Sequence, residues 1–204
     1  PPRLTLKSFL SFMFKPKWTL NYIFRKKFDL PFLSDFIKEG TDIKISVSDY
    51  FSNMLDQNMN WEDAIEIKKR WNGVFCLKGI MSKEDAIKAV DIGADAIMVS
   101  NHGGRQLDGS RSPFDQLDEI VDAVAGKIDI ICDGGIRRGT HILKAISKGA
   151  NACSGGRLYL YALASGGEEG VTQSINNLKS ELTRDMKLMG LTKISQLSKD
   201  NLRF

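Results

Sequence analysis

The chain is short of the residues that build metal centres and disulfide frameworks. It has three cysteines and two histidines in 204 residues. Cys76, Cys132 and Cys153 are odd in number, and none is spaced for a metal. Each sits in a short apolar or small-residue run. All three therefore read as small buried core residues of a protein kept in a reducing compartment. With only His102 and His141 available, a His-rich metal site is excluded. No uninterrupted apolar run approaches the length needed to span a membrane. An initiator Met and a signal-peptide pattern are also missing, and Pro1-Pro2 reads as the interior of a longer protein. Large excess charge is absent as well. A net charge of +4 gives no argument for a nucleic-acid partner, and no recognised nucleic-acid module is present.

The distribution of charge says more than its sum. Arg3, Lys7, Lys15, Lys17, Arg25, Lys26 and Lys27 all precede the first acid, Asp29. Aromatics are interleaved with them, in Phe9 to Trp18 and again in Tyr22 to Phe28. Residues 1–60 thus form a basic aromatic segment with helical character. Two readings stay open. One is an interfacial helix whose aromatics enter the apolar boundary of an anionic lipid surface while its lysines meet headgroups. The other is a helix whose aromatic face packs on the protein and whose lysines are solvated.

From residue 61 the chain repeats one unit, an apolar run followed by an amphipathic helix. Val74–Gly79 reads as a strand, and Ser82-Lys83-Glu84-Asp85 as a capped helix start that Gly93 later stops. Ala96–Ser100 is the next strand, with a helix over Pro113–Val124. Asp129–Asp133 is the third strand, followed by a helix over 139–148. Ala152–Gly156 is the fourth strand, and a helix-rich tail covers about 168–189. Strands alternating with helices predict a parallel sheet in an α/β protein. Four such units are half of an eightfold (β/α)8 TIM barrel. A doubly wound sheet is the alternative that periodicity leaves open.

The chemistry falls at the C-terminal ends of the strands, where both folds place their sites. Lys78 ends the first. After the second comes Ser100-Asn101-His102-Gly103-Gly104-Arg105-Gln106-Leu107-Asp108. An imidazole and a guanidinium three positions apart suit a substrate that carries a carboxylate and must lose a proton. After the third comes Asp133-Gly134-Gly135-Ile136-Arg137-Arg138-Gly139, and after the fourth Gly155-Gly156-Arg157. Two consecutive Gly-Arg loops, the first opening a helix, predict a phosphate cup of backbone N–H groups and guanidinium. His141 reads as a surface residue with no catalytic part, and Asp108 and Asp115 as loop and helix-cap residues.

In this order, these motifs closely resemble those of the FMN-dependent L-2-hydroxy-acid dehydrogenases and oxidases. Tyr159-Leu160-Tyr161 and Gly166-Gly167-Glu168 are most similar to the bacterial L-lactate dehydrogenase branch, with glycolate oxidase and mandelate dehydrogenase as relatives. The resemblance runs from about residue 61 to the C-terminus. It implies the C-terminal half of a TIM barrel, about strands five to eight, and a basic segment that corresponds to the loop after strand four. It implies His102 as the base and Arg105 as the carboxylate clamp. Lys78 and Ser100 would lie at the flavin. Asp133, Gly134, Gly135, Ile136, Arg137, Gly156 and Arg157 would hold the ribityl chain and phosphate of FMN. The implied reaction oxidises an L-2-hydroxy acid, L-lactate first, to the 2-oxo acid, with a quinone or cytochrome as acceptor. The implied setting is cytoplasmic, peripheral on the inner face of the plasma membrane, and homo-oligomeric when full length. Leu158 stands where many relatives have Pro. Half a barrel leaves sheet edges open and lacks the aspartate that orients the base, so the chain is expected to be an inactive fragment on its own. Another FMN-barrel enzyme, an isomerase or synthase, and a non-catalytic half-barrel that needs a partner remain the alternatives.

Overall fold

The computed structural model describes residues 5–24 and 56–203. The chain divides into two compact units, Pro1–Met59 and Asn60–Phe204. In the first, Thr5 caps helix α1 (Leu6–Met13) by accepting a hydrogen bond from the Ser8 N–H. Pro16 opens α2 (Pro16–Phe24), a position where its missing N–H costs nothing. The Thr19 hydroxyl donates to the Phe12 carbonyl at 2.7 Å, and Trp18 stacks between Phe12 and Tyr22, pinning the corner. Neither helix buries a residue, and Leu6, Phe9, Met13, Phe14, Ile23 and Phe24 are all exposed. The basic cluster at Arg25, Lys26 and Lys27, like Arg3, lies outside the described residues. No helix among the described residues is long and apolar enough to cross a membrane.

The second unit starts with α3 (Trp61–Arg70), held by a reciprocal Asn60–Asp63 capping box. Four strand–helix units follow: β1 (Cys76–Lys78) with α4 (Lys83–Asp91), β2 (Ala96–Val99) with α5 (Pro113–Val124), β3 (Asp129–Asp133) with α6 (Gly139–Ser147), and β4 (Ala152–Ser154) with α7 (Arg157–Leu188). Ser82 and Ser112 cap α4 and α5. Gly167, with φ 60° and ψ −144°, breaks α7 into two segments, the second matching the tail helix expected from about residue 168.

All four strands are parallel and lie side by side in chain order. A doubly wound sheet reverses its strand order at a switch point. Here successive strands add steadily in one direction, as in a barrel wall. The chain is part of an α/β barrel. Its core lies between the sheet and the helices, with Ile97, Val99, Leu117, Ile120, Val124 and Cys132 essentially inaccessible to water.

The cysteine expectation holds for only part of the set. Cys132 is buried and Cys153 half-buried, but Cys76 is exposed. Cys76 lies on β1, which pairs with β2 alone among the described residues, so no further strand covers it. Burial, with the Asp133 charge beside it, pushes the Cys132 thiol up to about 11. Burial and the neighbouring Cys132 push Cys153 up to about 12.

The broken end of α7 clasps the start of α6. Glu181 accepts from the Gly139 N–H at 2.8 Å and from Arg138 Nε at 2.7 Å, and Thr140 Oγ1 donates to Asp185 at 3.0 Å. Gly139 allows this approach. A Cβ there would lie 2.7 Å from both Glu181 Cβ and the Leu178 carbonyl oxygen, and would also strike Leu182 N.

Three outcomes follow from this packing. A thiol reagent at neutral pH should label Cys76 first, with Cys132 and Cys153 reacting only on unfolding. Gly139→Ala should cost about 1–3 kcal/mol by overpacking, measured by urea denaturation. The Gly139 N–H and the Arg138 guanidinium hold the Glu181 carboxyl below the usual carboxylate range. The stability from that carboxylate is therefore complete above the unfolded value of about 4.3 and is lost as pH falls towards the lower folded value. Glu181→Gln should melt lower than wild type at neutral pH and should flatten the acid limb of the melting profile.

Candidate active site at the strand ends

Ser100, at the end of β2 and only 3% exposed, is the hub of the site. Its hydroxyl donates to Asp133 Oδ2 at 2.5 Å. It accepts from Lys78 Nζ at 3.2 Å and from the His102 backbone N–H at 3.2 Å. One proton and two lone pairs are thereby all used. Lys78 Nζ also stands 3.8 Å from Asp133 Oδ2. The ends of β1, β2 and β3 are thus tied by side chains into one polar cluster. The β2–β3 register sets Asp133 level with Ser100, while Lys78, paired with Met98 two residues earlier, reaches the hydroxyl through its long side chain.

The His102 loop is wound tightly. His102 has φ 58°, in the left-handed region where a side chain crowds its own backbone. Such a conformation costs on the order of 1–3 kcal/mol and persists only where the surroundings enforce it. Here its N–H is held by Ser100, and the Asn101 side chain accepts from the Gly104 N–H at 3.1 Å. Gly103 is needed for its backbone, and its bare Cα leaves room for the Arg157 side chain. Its φ is 68°, and a Cβ would lie 2.9 Å from Arg157 Nη2, which donates to the Gly103 carbonyl at 2.8 Å. That bond joins the His102 loop to the loop after β4. The His102 and Arg105 side chains are exposed and make no hydrogen bond or ion pair among the described residues.

The two Gly-Arg loops are in direct contact. The Gly134 N–H donates to the Ser154 carbonyl at 3.2 Å, and a Cβ on Gly155 would meet Ile136 at 3.5–3.7 Å. Ile136 is buried and anchors the loop, while Gly134 and Gly135 take left-handed turns at φ 110° and 73°. The backbone N–H groups of Gly135, Ile136 and Gly156 have no partner among the described residues, and neither does the Arg137 guanidinium. Around Gly135 and Gly156 the space a Cβ would fill is open. This donor-only set in an open cradle fits a phosphate group.

Asp108 accepts from the Gly109 N–H and Asp115 from the Ser112 hydroxyl, local roles as expected. His141 departs from its expected place. It is half-buried rather than a surface residue, and its Nδ1 lies 2.9 Å from the Gly135 carbonyl and 3.2 Å from the Arg137 N–H. The helix start folds the imidazole back over the glycine turn. A histidine four residues after an arginine at a strand-to-helix turn was the available signal.

The FMN-dependent dehydrogenase family model matches residues 1–204. Among solved structures, a flavocytochrome b2 variant shares 40% identity with a TM-score of 0.71, over 74% of this chain and 40% of its own. The flavin-binding domain of baker's yeast flavocytochrome b2 shares 40% identity with a TM-score of 0.70, over 72% and 38%. A mandelate oxidase variant carrying a monooxide FMN adduct shares 43% identity with a TM-score of 0.65, over 67% and 44%. The chain spans about two fifths of the length of these relatives. The family carries out FMN-dependent 2-hydroxy-acid oxidation, and FMN carries a phosphate group of the kind the cradle fits. With its matching family model, its parallel barrel segment and its strand-end site, this chain belongs to the FMN-dependent dehydrogenases.

Proposed function

We propose that this chain is the C-terminal half of an L-2-hydroxy-acid dehydrogenase, with L-lactate as its first substrate and a quinone or cytochrome as acceptor. The observation that carries this reading is the hydrogen-bonded linkage of Lys78, Ser100, Asp133, the His102 loop and Arg157 across four strand ends. Asp133, Gly134, Gly135, Ile136, Arg137, Gly156 and Arg157 would hold FMN through its ribityl chain and phosphate. Lys78 would face the flavin ring. Ser100 would act mainly by wiring its neighbours, since its hydroxyl has no capacity left. When bound, FMN supplies a two-electron acceptor. Arg105 binds the substrate carboxylate through a charge-assisted fork. His102 takes the substrate proton through an exposed side chain carried on the backbone at φ 58°.

The chain alone is inactive in this reading. Among the described residues both β1 and β4 have one unpaired edge, and they await the other strands of the barrel. The completed enzyme is a homo-oligomer, peripheral on the inner face of the plasma membrane. Support for the membrane contact comes from α1 and α2, which bury nothing and expose Phe9, Phe14 and Phe24 beside Lys7, Lys15 and Lys17.

In the protein completed by the first half of a family barrel, L-lactate should bleach FMN in the absence of oxygen. His102→Gln should keep FMN and slow bleaching by about 10²–10⁴-fold. Unslowed bleaching would remove His102 from the role of base. Bound FMN that ignores every 2-hydroxy acid would favour an isomerase or synthase.

A further inference from the structure

One imidazole nitrogen stands between two backbone groups of the glycine loop. His141 Nδ1 is 2.9 Å from the Gly135 carbonyl oxygen and 3.2 Å from the Arg137 N–H. A nitrogen donates or accepts, but not both. When Nδ1 lacks a proton it accepts from Arg137, and that N–H is no longer offered to a ligand. When Nδ1 carries a proton it donates to Gly135, and the Arg137 N–H is released. Doubly protonated imidazole can only donate, and it adds a positive charge.

We propose that His141 is a positioning residue for the loop 134–138, and that its protonation opens the loop to a phosphate-bearing ligand. The inference rests on the reading of this loop as the phosphate cradle of FMN. Proton and phosphate then bind cooperatively: each makes the other bind more tightly. The mainstay of the hold is local. His141 sits in the first turn of α6, where its own N–H donates to the Arg138 carbonyl at 3.0 Å, so the ring has little freedom to leave.

Other charged groups surround this turn. In the loop these are Asp133, Arg137 and Arg138, with Lys144 one turn along α6. From α7, packed on α6, come Arg157, Glu181, Arg184 and Asp185, and from the turn Lys199–Asn201, also against α6, come Lys199 and Asp200. Asp133 is engaged by Ser100, Glu181 by Arg138 and the Gly139 N–H, and Asp185 by Thr140. An ordinary carboxylate titrates at about pH 4, and an ordinary lysine or arginine above about pH 10, outside the interval from about pH 6 to about pH 8. The ligand phosphate itself titrates there, so the control must keep the loop and remove only the imidazole.

His141→Asn does this, because its amide can donate or accept near the Nδ1 position but does not titrate. FMN affinity of the protein completed by the first half of a family barrel is measured by quenching of flavin fluorescence at about pH 6 and about pH 8. Wild type should gain about tenfold more affinity on acidification than His141→Asn, the change that one unit of proton linkage gives. His141→Ala should bind more weakly at both pH values. Riboflavin, which has no phosphate, should show no such difference between wild type and His141→Asn. A second readout does not need FMN. With two histidines in the chain, the ring protons of His141 are identified in the NMR spectrum by their loss in the variant, and inorganic phosphate should move their titration midpoint upward. Equal pH slopes in wild type and His141→Asn, with an unmoved midpoint, overturn the proposal while leaving FMN binding intact. Absence of FMN and phosphate binding at every pH overturns the cradle reading and this inference together.

Discussion

The site depends on the hydroxyl of Ser100. It has one proton to give and room for two to receive, and the structure uses all three. Remove it, and Lys78, Asp133 and the His102 N–H each lose the group that places them. The cluster is nearly dry at its centre, where polar groups left without partners are costly. The same hydroxyl enforces the left-handed backbone at His102 by holding its N–H. One small side chain therefore links local backbone geometry, the packing of three strand ends and the placement of the residue proposed as base.

The rest of the fold supplies what that hub needs. Parallel strands in chain order bring Lys78, Ser100 and Asp133 to one end of the sheet without any long connection. Glycines at the turns after β2, β3 and β4 let three loops approach one another. Arg157 joins the last loop to the first, and Gly134 joins β3 to β4. Behind them, α7 seals α6 through Glu181 and Asp185, so the glycine loop is anchored from below while its remaining N–H groups stay free.

Much of this could be read from the residues. Strand–helix alternation, capping serines at Ser82 and Ser112, and the stop at Gly93 depend on neighbours within a few positions, and sequence carries such information directly. The placement of Lys78, Asp133 and the Gly-Arg loops at strand ends follows from the same alternation. The hub was less legible. Ser100 and Asp133 are 33 residues apart, and only the register of β2 on β3 makes them partners. The Glu181 clasp spans 42 residues and was invisible for the same reason. Cys76 reads as core because its run is apolar, but edge position rather than composition sets its exposure. His141 reads as a surface helix residue because helical spacing says nothing about a loop that folds back over the helix start.

The most direct measurement is a crystal structure of the FMN-loaded protein. The phosphate should lie within hydrogen-bond distance of Arg137 and the Gly135 and Gly156 N–H groups, with the flavin ring beside Lys78 and facing His102. A phosphate seated away from both Gly-Arg loops, or a flavin distant from the Ser100 cluster, would contradict this arrangement.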